Sequence, residues 1–118
     1  MSIKEFLKNN KLLLINFKKA LLYRGIKEET VFEYQKDMKN LMEYLQKLNI
    51  RTLDVTERDI REYLDTFDVS APRKIRIICV LNIFYTHNTK KGYCTNPMKD
   101  IDTSELREQL KKGDSNDK

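Results

Sequence analysis

An all-α fold follows from three observations on this 118-residue chain. Apolar residues recur every three or four positions over several separate stretches, the spacing of a helix with one buried face. Only three glycines and two prolines occur, and they fall at or near the edges of those stretches. So little turn-forming material leaves no series of hairpins for a β-sandwich or barrel. The length then supports one domain with a modest core.

The elements follow in order. Residues 3–7 form a short turn that packs separately. Residues 10–23 form the first full helix, with Leu13, Phe17, Ala20 and Leu21 on one face and Gly25 as its stop signal. Residues 28–48 form the second, where Val31, Tyr34, Met38, Leu41, Leu45 and Leu48 make a continuous core-facing stripe. Glu28 and Glu29 suit the positive end of its dipole. A third helix follows Thr56, which with Asp59 comes close to a capping box; Ile60, Tyr63, Leu64 and Phe67 supply its apolar face. The fourth starts near Ser70, tolerates Pro72 in its first turn and runs to about Asn88. From Ile75 to Tyr85 it is apolar nearly all round, which makes it the central buried helix, with Cys79 as a core thiol. Lys90-Lys91-Gly92 ends it, and Asn96-Pro97 marks a turn. A last short helix spans residues 102–112, with Asp102 and Glu105 at its start, and residues 113–118 read as a disordered tail.

Charge is uneven along the chain. The net charge of +5 favours a polyanionic partner only weakly. Its distribution says more. Residues 1–27 carry seven Lys/Arg against Glu5 alone, and residues 69–99 carry six with no acid. Residues 52–68 reverse the balance, with two Arg against six Asp/Glu. The folded domain should have a basic side and an acidic side.

Several classes are disfavoured. One histidine and two cysteines fifteen residues apart match no metal spacing, so neither a metal site nor a cofactor is expected. His87 has no nucleophile or acidic neighbour, no Gly-rich phosphate loop exists, and most of the six tyrosines should face the core. No catalytic residue is assigned, and the chain is read as a non-enzyme. Reduced thiols without a signal peptide point to the cytoplasm. The longest apolar run, residues 77–81, is far short of a membrane span.

Nucleic-acid binding is the better reading. Ser70 to Arg76 joins a helix N-terminus, whose free N–H groups and dipole suit phosphate, to Arg73, Lys74 and Arg76. Arg73 and Arg76 share a face, so one could hold a phosphate while the other reaches a base edge. The same residues would equally make an ordinary solvated helix start. Lys36 and Lys39 lie opposite the second helix's apolar stripe, though Glu33 and Glu43 share that surface. Lys90 and Lys91 could answer the dipole of their own helix or hold phosphate.

The stretch Arg24-Gly25-Ile26-Lys27-Glu28-Glu29-Thr30-Val31-Phe32-Glu33-Tyr34-Gln35-Lys36-Asp37 resembles the first interhelical turn of the core-binding domain of tyrosine recombinases (phage integrases). Leu53 to Leu64, with Thr-Glu-Arg-Asp-Ile-Arg-Glu-Tyr-Leu at its end, resembles that family's third helix. Ser70 to Gly92, with Phe84-Tyr85 near its end, resembles the fourth, and Asn96-Pro97 sits where these domains precede a linker. The match spans about residues 3–100. It departs from the family at Lys27, where a Ser is usual, in the spacing from Gly92 to Asn96, and in the missing catalytic domain.

The resemblance implies a SAM-like orthogonal bundle of four to five helices over residues 1–100, one half of a C-shaped clamp on duplex DNA. Residues 101–118 would then lead toward a catalytic domain. It also implies that the second and fourth helices face the major groove. That places Thr30 and Lys36 on one helix, with Lys27 as an extra cation facing the groove and Lys39 on the same outer surface, Arg73, Lys74 and Arg76 on the other, and Lys90 and Lys91 near the backbone. The expected partner is double-stranded DNA, with the isolated chain a monomer. The main alternative is a helical accessory module that docks on a recombinase or another protein through the acidic third helix. A helix-turn-helix dimer fits less well, because the connection from Leu48 to Thr56 exceeds the ~3–4-residue turn of that motif.

Overall fold

The computed structural model describes the backbone of residues 2–116 and side chains through residue 111. Among the described residues, six α-helices and one 3-10 turn follow in order: α1 (Ile3–Lys8), α2 (Asn10–Tyr23), α3 (Glu28–Lys47), the 3-10 turn Thr52–Asp54, α4 (Glu57–Asp65), α5 (Ala71–Lys90) and α6 (Ser104–Asn116). Among the described residues there is no strand, and the fold is all-α. Residues 1–100 hold five of these helices, and α6 falls in the segment after them, where a last short helix was expected.

Local chemistry sets most boundaries. Asn9 caps α2 by accepting from the Leu12 amide at 3.2 Å. The capping box at Thr56 is complete: its hydroxyl accepts from the Asp59 amide, and the Asp59 carboxylate accepts from the Thr56 amide. Lys27 stands at the α3 N-cap with no side-chain capping bond.

Three helices end in one way. The α2 terminus turns through Gly25 at φ +84°, with Gly25 donating to Leu22 and Ile26 to Leu21. The α5 terminus repeats this at Gly92, and α3 does so at Asn49, a non-glycine residue at φ +59°. Each is a Schellman closure, which needs a left-handed residue one position past the cap. Asn tolerates that conformation better than other side-chain-bearing residues.

The core lies between α2, α3 and α5, closed at one end by α4. Phe17 of α2 meets Phe84 of α5 edge-to-face, ring centroids 5.2 Å apart, and Phe84 meets Tyr85 at 5.0 Å. From α3, Val31, Met38, Leu41 and Leu45 are fully buried, as the spacing predicts. Tyr85 is buried too, and its hydroxyl donates to the Thr52 carbonyl at 2.8 Å. The 3-10 turn therefore supplies the acceptor that a buried phenol requires. α6 lies against α5, with Leu106 half-buried against the core.

Several expectations fail here, each for a local reason. Leu48 is 51% exposed, because α3 ends at Lys47 and the chain turns away. Cys79 is exposed rather than a core thiol. A helix apolar nearly all round still turns one side outward, and Cys79 is on it. Tyr23, in the last turn of α2, is also exposed, whereas Tyr63 and Tyr85 are buried. Finally, α6 begins at Ser104 and continues through Asn116, so residues 113–116 extend the helix instead of forming a tail. Residues 117 and 118 lie outside the described residues.

Candidate nucleic-acid interface

The N-terminal half of α5 packs against α3 through a buried carboxylate. Asp37 falls three residues after Tyr34 and four before Leu41, on the buried stripe of α3, and its side chain is 1% exposed. A carboxylate in that position must be matched by cations and hydrogen bonds. Arg73 supplies both, its Nη2 donating to Asp37 Oδ1 at 2.9 Å and its Nη1 to Oδ2 at 3.4 Å. Arg76 adds a second cation, with Nε 3.6 Å from Asp37 Oδ2 and Nη2 donating to Glu33 at 3.3 Å. Tyr63 of α4 lies close enough for its phenol to be pushed up to about 12, first by burial and then by the Asp37 charge, with Arg73 opposing.

The nine residues read from the sequence as DNA-facing therefore divide. Arg73 and Arg76 are engaged by Asp37 and Glu33. Thr30 is half-buried beside Arg76 and shares a small cleft with Glu29, Glu33 and Tyr34. Lys36 is exposed, its ammonium 5.5 Å from the centre of the Phe32 ring. Lys27, Lys39, Lys90 and Lys91 are exposed, and Lys74 is partly so. Among the described residues, none of these six lysines has a carboxylate within 4.0 Å.

The C-terminal half of α5 is built differently. It forms one wall of a cleft of about 390 Å³ whose lining is Arg24, Asn82, Ile83, Thr86, His87 and Lys90. Arg24 comes from the turn after α2 and the rest from α5. Asn82, Thr86 and Lys90 follow at four-residue intervals, so they stand on one helical face. Thr86 donates to Asn82 Oδ1 at 3.3 Å. His87 Nε2 pairs with Asn16 Oδ1 of α2 at 3.1 Å. Burial, then the charges of Lys91, Arg24 and Lys90, hold the His87 pKa below its usual value. Sequence reasoning left Arg24, Asn82, Thr86 and His87 out of the site. The i, i+4 series ending at Lys90 in an acid-free stretch was the signal that could have found them.

A larger cleft, about 700 Å³, lies elsewhere, between α2 and α3. Leu22, Val31 and Phe32 line it together with Glu28, Glu29 and Glu33. Three carboxylates against the one cation, Lys18, make it hostile to phosphate. Among the described residues, no three His, Cys, Asp or Glu side chains gather as a metal site, and no helix is long and apolar enough to cross a membrane.

Comparison with known proteins returned no matching family model, no matching curated protein and no matching solved structure.

Proposed function

We propose that this chain is a duplex-DNA-binding module that acts by non-covalent clamping and performs no chemistry itself. One observation supports the reading above all others. The acid-free segment 69–99 and the turn after α2 leave Arg24, Lys74, Lys90 and Lys91 without a carboxylate partner among the described residues. Such cations are available to displace the counterions condensed on a duplex. The finer reading, a core-binding domain of a tyrosine recombinase, rests on the resemblance of the segments at Arg24, Thr56 and Ser70. In that reading the chain holds DNA for a catalytic domain elsewhere in the protein, and it works in the cytoplasm.

Fluorescence anisotropy with a labelled duplex tests the proposal. With roughly four to six phosphate contacts, log K against log salt should have a slope of about −4 to −5, with micromolar or weaker affinity. Absence of binding to any duplex at low salt would refute it.

A second reading, a protein-docking accessory module, is favoured by the α2–α3 cleft, where Phe32 is 63% exposed beside the three glutamates. The acidic α4 surface suits that role less. Its Arg58 and Arg61 already pair with Glu62 and Glu57 at 3.0 and 2.9 Å. The readings separate on the Phe32→Ser variant, which should leave duplex affinity intact if DNA is the ligand.

A further inference from the structure

Simple attraction of a polyanion needs only surface lysines. The cleft between the ends of α2 and α5 offers more than that. Arg24 and Lys90 enter it from separate elements, so their charges converge instead of lying side by side along one helix. Neither has a carboxylate within 4.0 Å among the described residues. Thr86 gives its hydroxyl proton to Asn82 Oδ1, which leaves the Asn82 amide NH₂ as a neutral donor beside the two charges.

His87 completes the lining. Asn16 Oδ1 is an acceptor, so this pairing assigns the ring proton to Nε2 and leaves Nδ1 to take a second one. The groups around the ring come from both helices: Asn16 and Arg24 from the α2 side, Lys90 and Lys91 from the end of α5. All the charged ones are cations. An anion seated among them would offset their field and favour the imidazolium.

We propose that this cleft is a phosphate-ester site, in which Arg24 and Lys90 hold one phosphate, Asn82 donates to it, and His87 takes up a proton as it binds. The site rests on the DNA-binding reading only for the polymer that supplies the phosphate. Binding at the cleft should tighten as pH falls, because the bound state holds one proton more than the free state.

His87 is the only histidine in the chain, so its ring resonances in a labelled full-length sample are unambiguous. The experiment follows the His87 titration by NMR alone, with about 50 mM inorganic phosphate against a chloride control of equal ionic strength, and with a short duplex. Phosphate should raise the midpoint by roughly half a unit to one unit. Duplex affinity should then rise about two- to fivefold between pH 8 and pH 6. Arg24→Ala should abolish the phosphate-induced shift and weaken duplex binding several-fold beyond Lys111→Ala, which removes the same charge from α6. His87→Gln should abolish the pH dependence of duplex affinity.

The outcomes separate the two proposals. If the duplex binds but Arg24→Ala matches Lys111→Ala and phosphate leaves His87 unmoved, the cleft is refuted and DNA binding stands. If phosphate moves His87 in an Arg24-dependent way while no duplex binds, the site stands and the DNA reading falls. If neither ligand acts, both fall.

Discussion

The two ends of α5 carry cations in comparable number and use them in opposite ways. At the N-terminal end, Arg73 and Arg76 turn toward α3 and close on Asp37 and Glu33. At the C-terminal end, Lys90 and Lys91 join Arg24 beside His87, with no carboxylate within ion-pair distance among the described residues. The difference lies in the neighbour. α3 presents acid to the first half of α5, whereas α2 presents Asn16 and Arg24 to the second. A cation in the sequence thus becomes either structural cement or free surface charge, depending on which helix it meets.

The largest expected effect comes from removing the cement. Arg73→Ala leaves Asp37 buried with only the more distant Arg76, so stability should fall by about 3 kcal/mol in urea denaturation. The comparison breaks if the loss stays under about 1 kcal/mol, the ordinary value of an exposed pair. Adding Asp37→Asn to Arg73→Ala should recover part of the loss, because the uncompensated charge is then gone.

The same buried end should show itself at alkaline pH. The folded Tyr63 titrates at about 12 against an ordinary 10.0, so the fold favours the neutral phenol. Its contribution is complete below pH 10 and is lost as pH rises toward 12. Wild type should therefore lose roughly 2 kcal/mol more than Tyr63→Phe across that window. Parallel pH profiles for the two proteins would remove Tyr63 from the Asp37 cluster.

The other end should respond in binding. Replacing Lys90 and Lys91 together with Ala should lower duplex affinity about tenfold at low salt and flatten the salt slope by about 2. Unfolding free energy should change by less than about 1 kcal/mol, the scale of a helix-dipole contribution. The smallest effect is the most discriminating. Glu33→Gln releases Arg76 from its more exposed partner, and duplex affinity should rise two- to threefold, about 0.5 kcal/mol. No change would mean that Arg76 stays with Asp37 and belongs wholly to the structural end.

Much of the fold was legible because local chemistry decides it. The apolar period of α3, the Thr56 capping box, Gly25 and Gly92 all mark their elements within one or two residues. The 3-10 turn at Thr52–Asp54 was not foreseen, since its value lies in giving Tyr85 an acceptor thirty-three residues away. The candidate site was legible in part. Lys90 and Lys91 stand out as charge at a helix end, but in sequence Arg24 is only part of a turn, and His87 a lone histidine without an acidic neighbour. Asp37 was hidden in plain view on an apolar stripe, where a carboxylate already signals that a cation must come to it.

Sequence alone determined that this chain is helical, where most of its helices begin and end, and which segments hold acid-free positive charge. Those properties depend on residues within a turn or two of one another. Only the tertiary structure decided that Cys79 faces outward, that Arg73 and Arg76 close on α3, and that Arg24 meets Lys90 across a cleft. Each of these depends on how one helix is rotated against another. An almost uniformly apolar helix such as α5 carries no strong preference for that rotation in its own sequence, so the partners that pack against it set the angle.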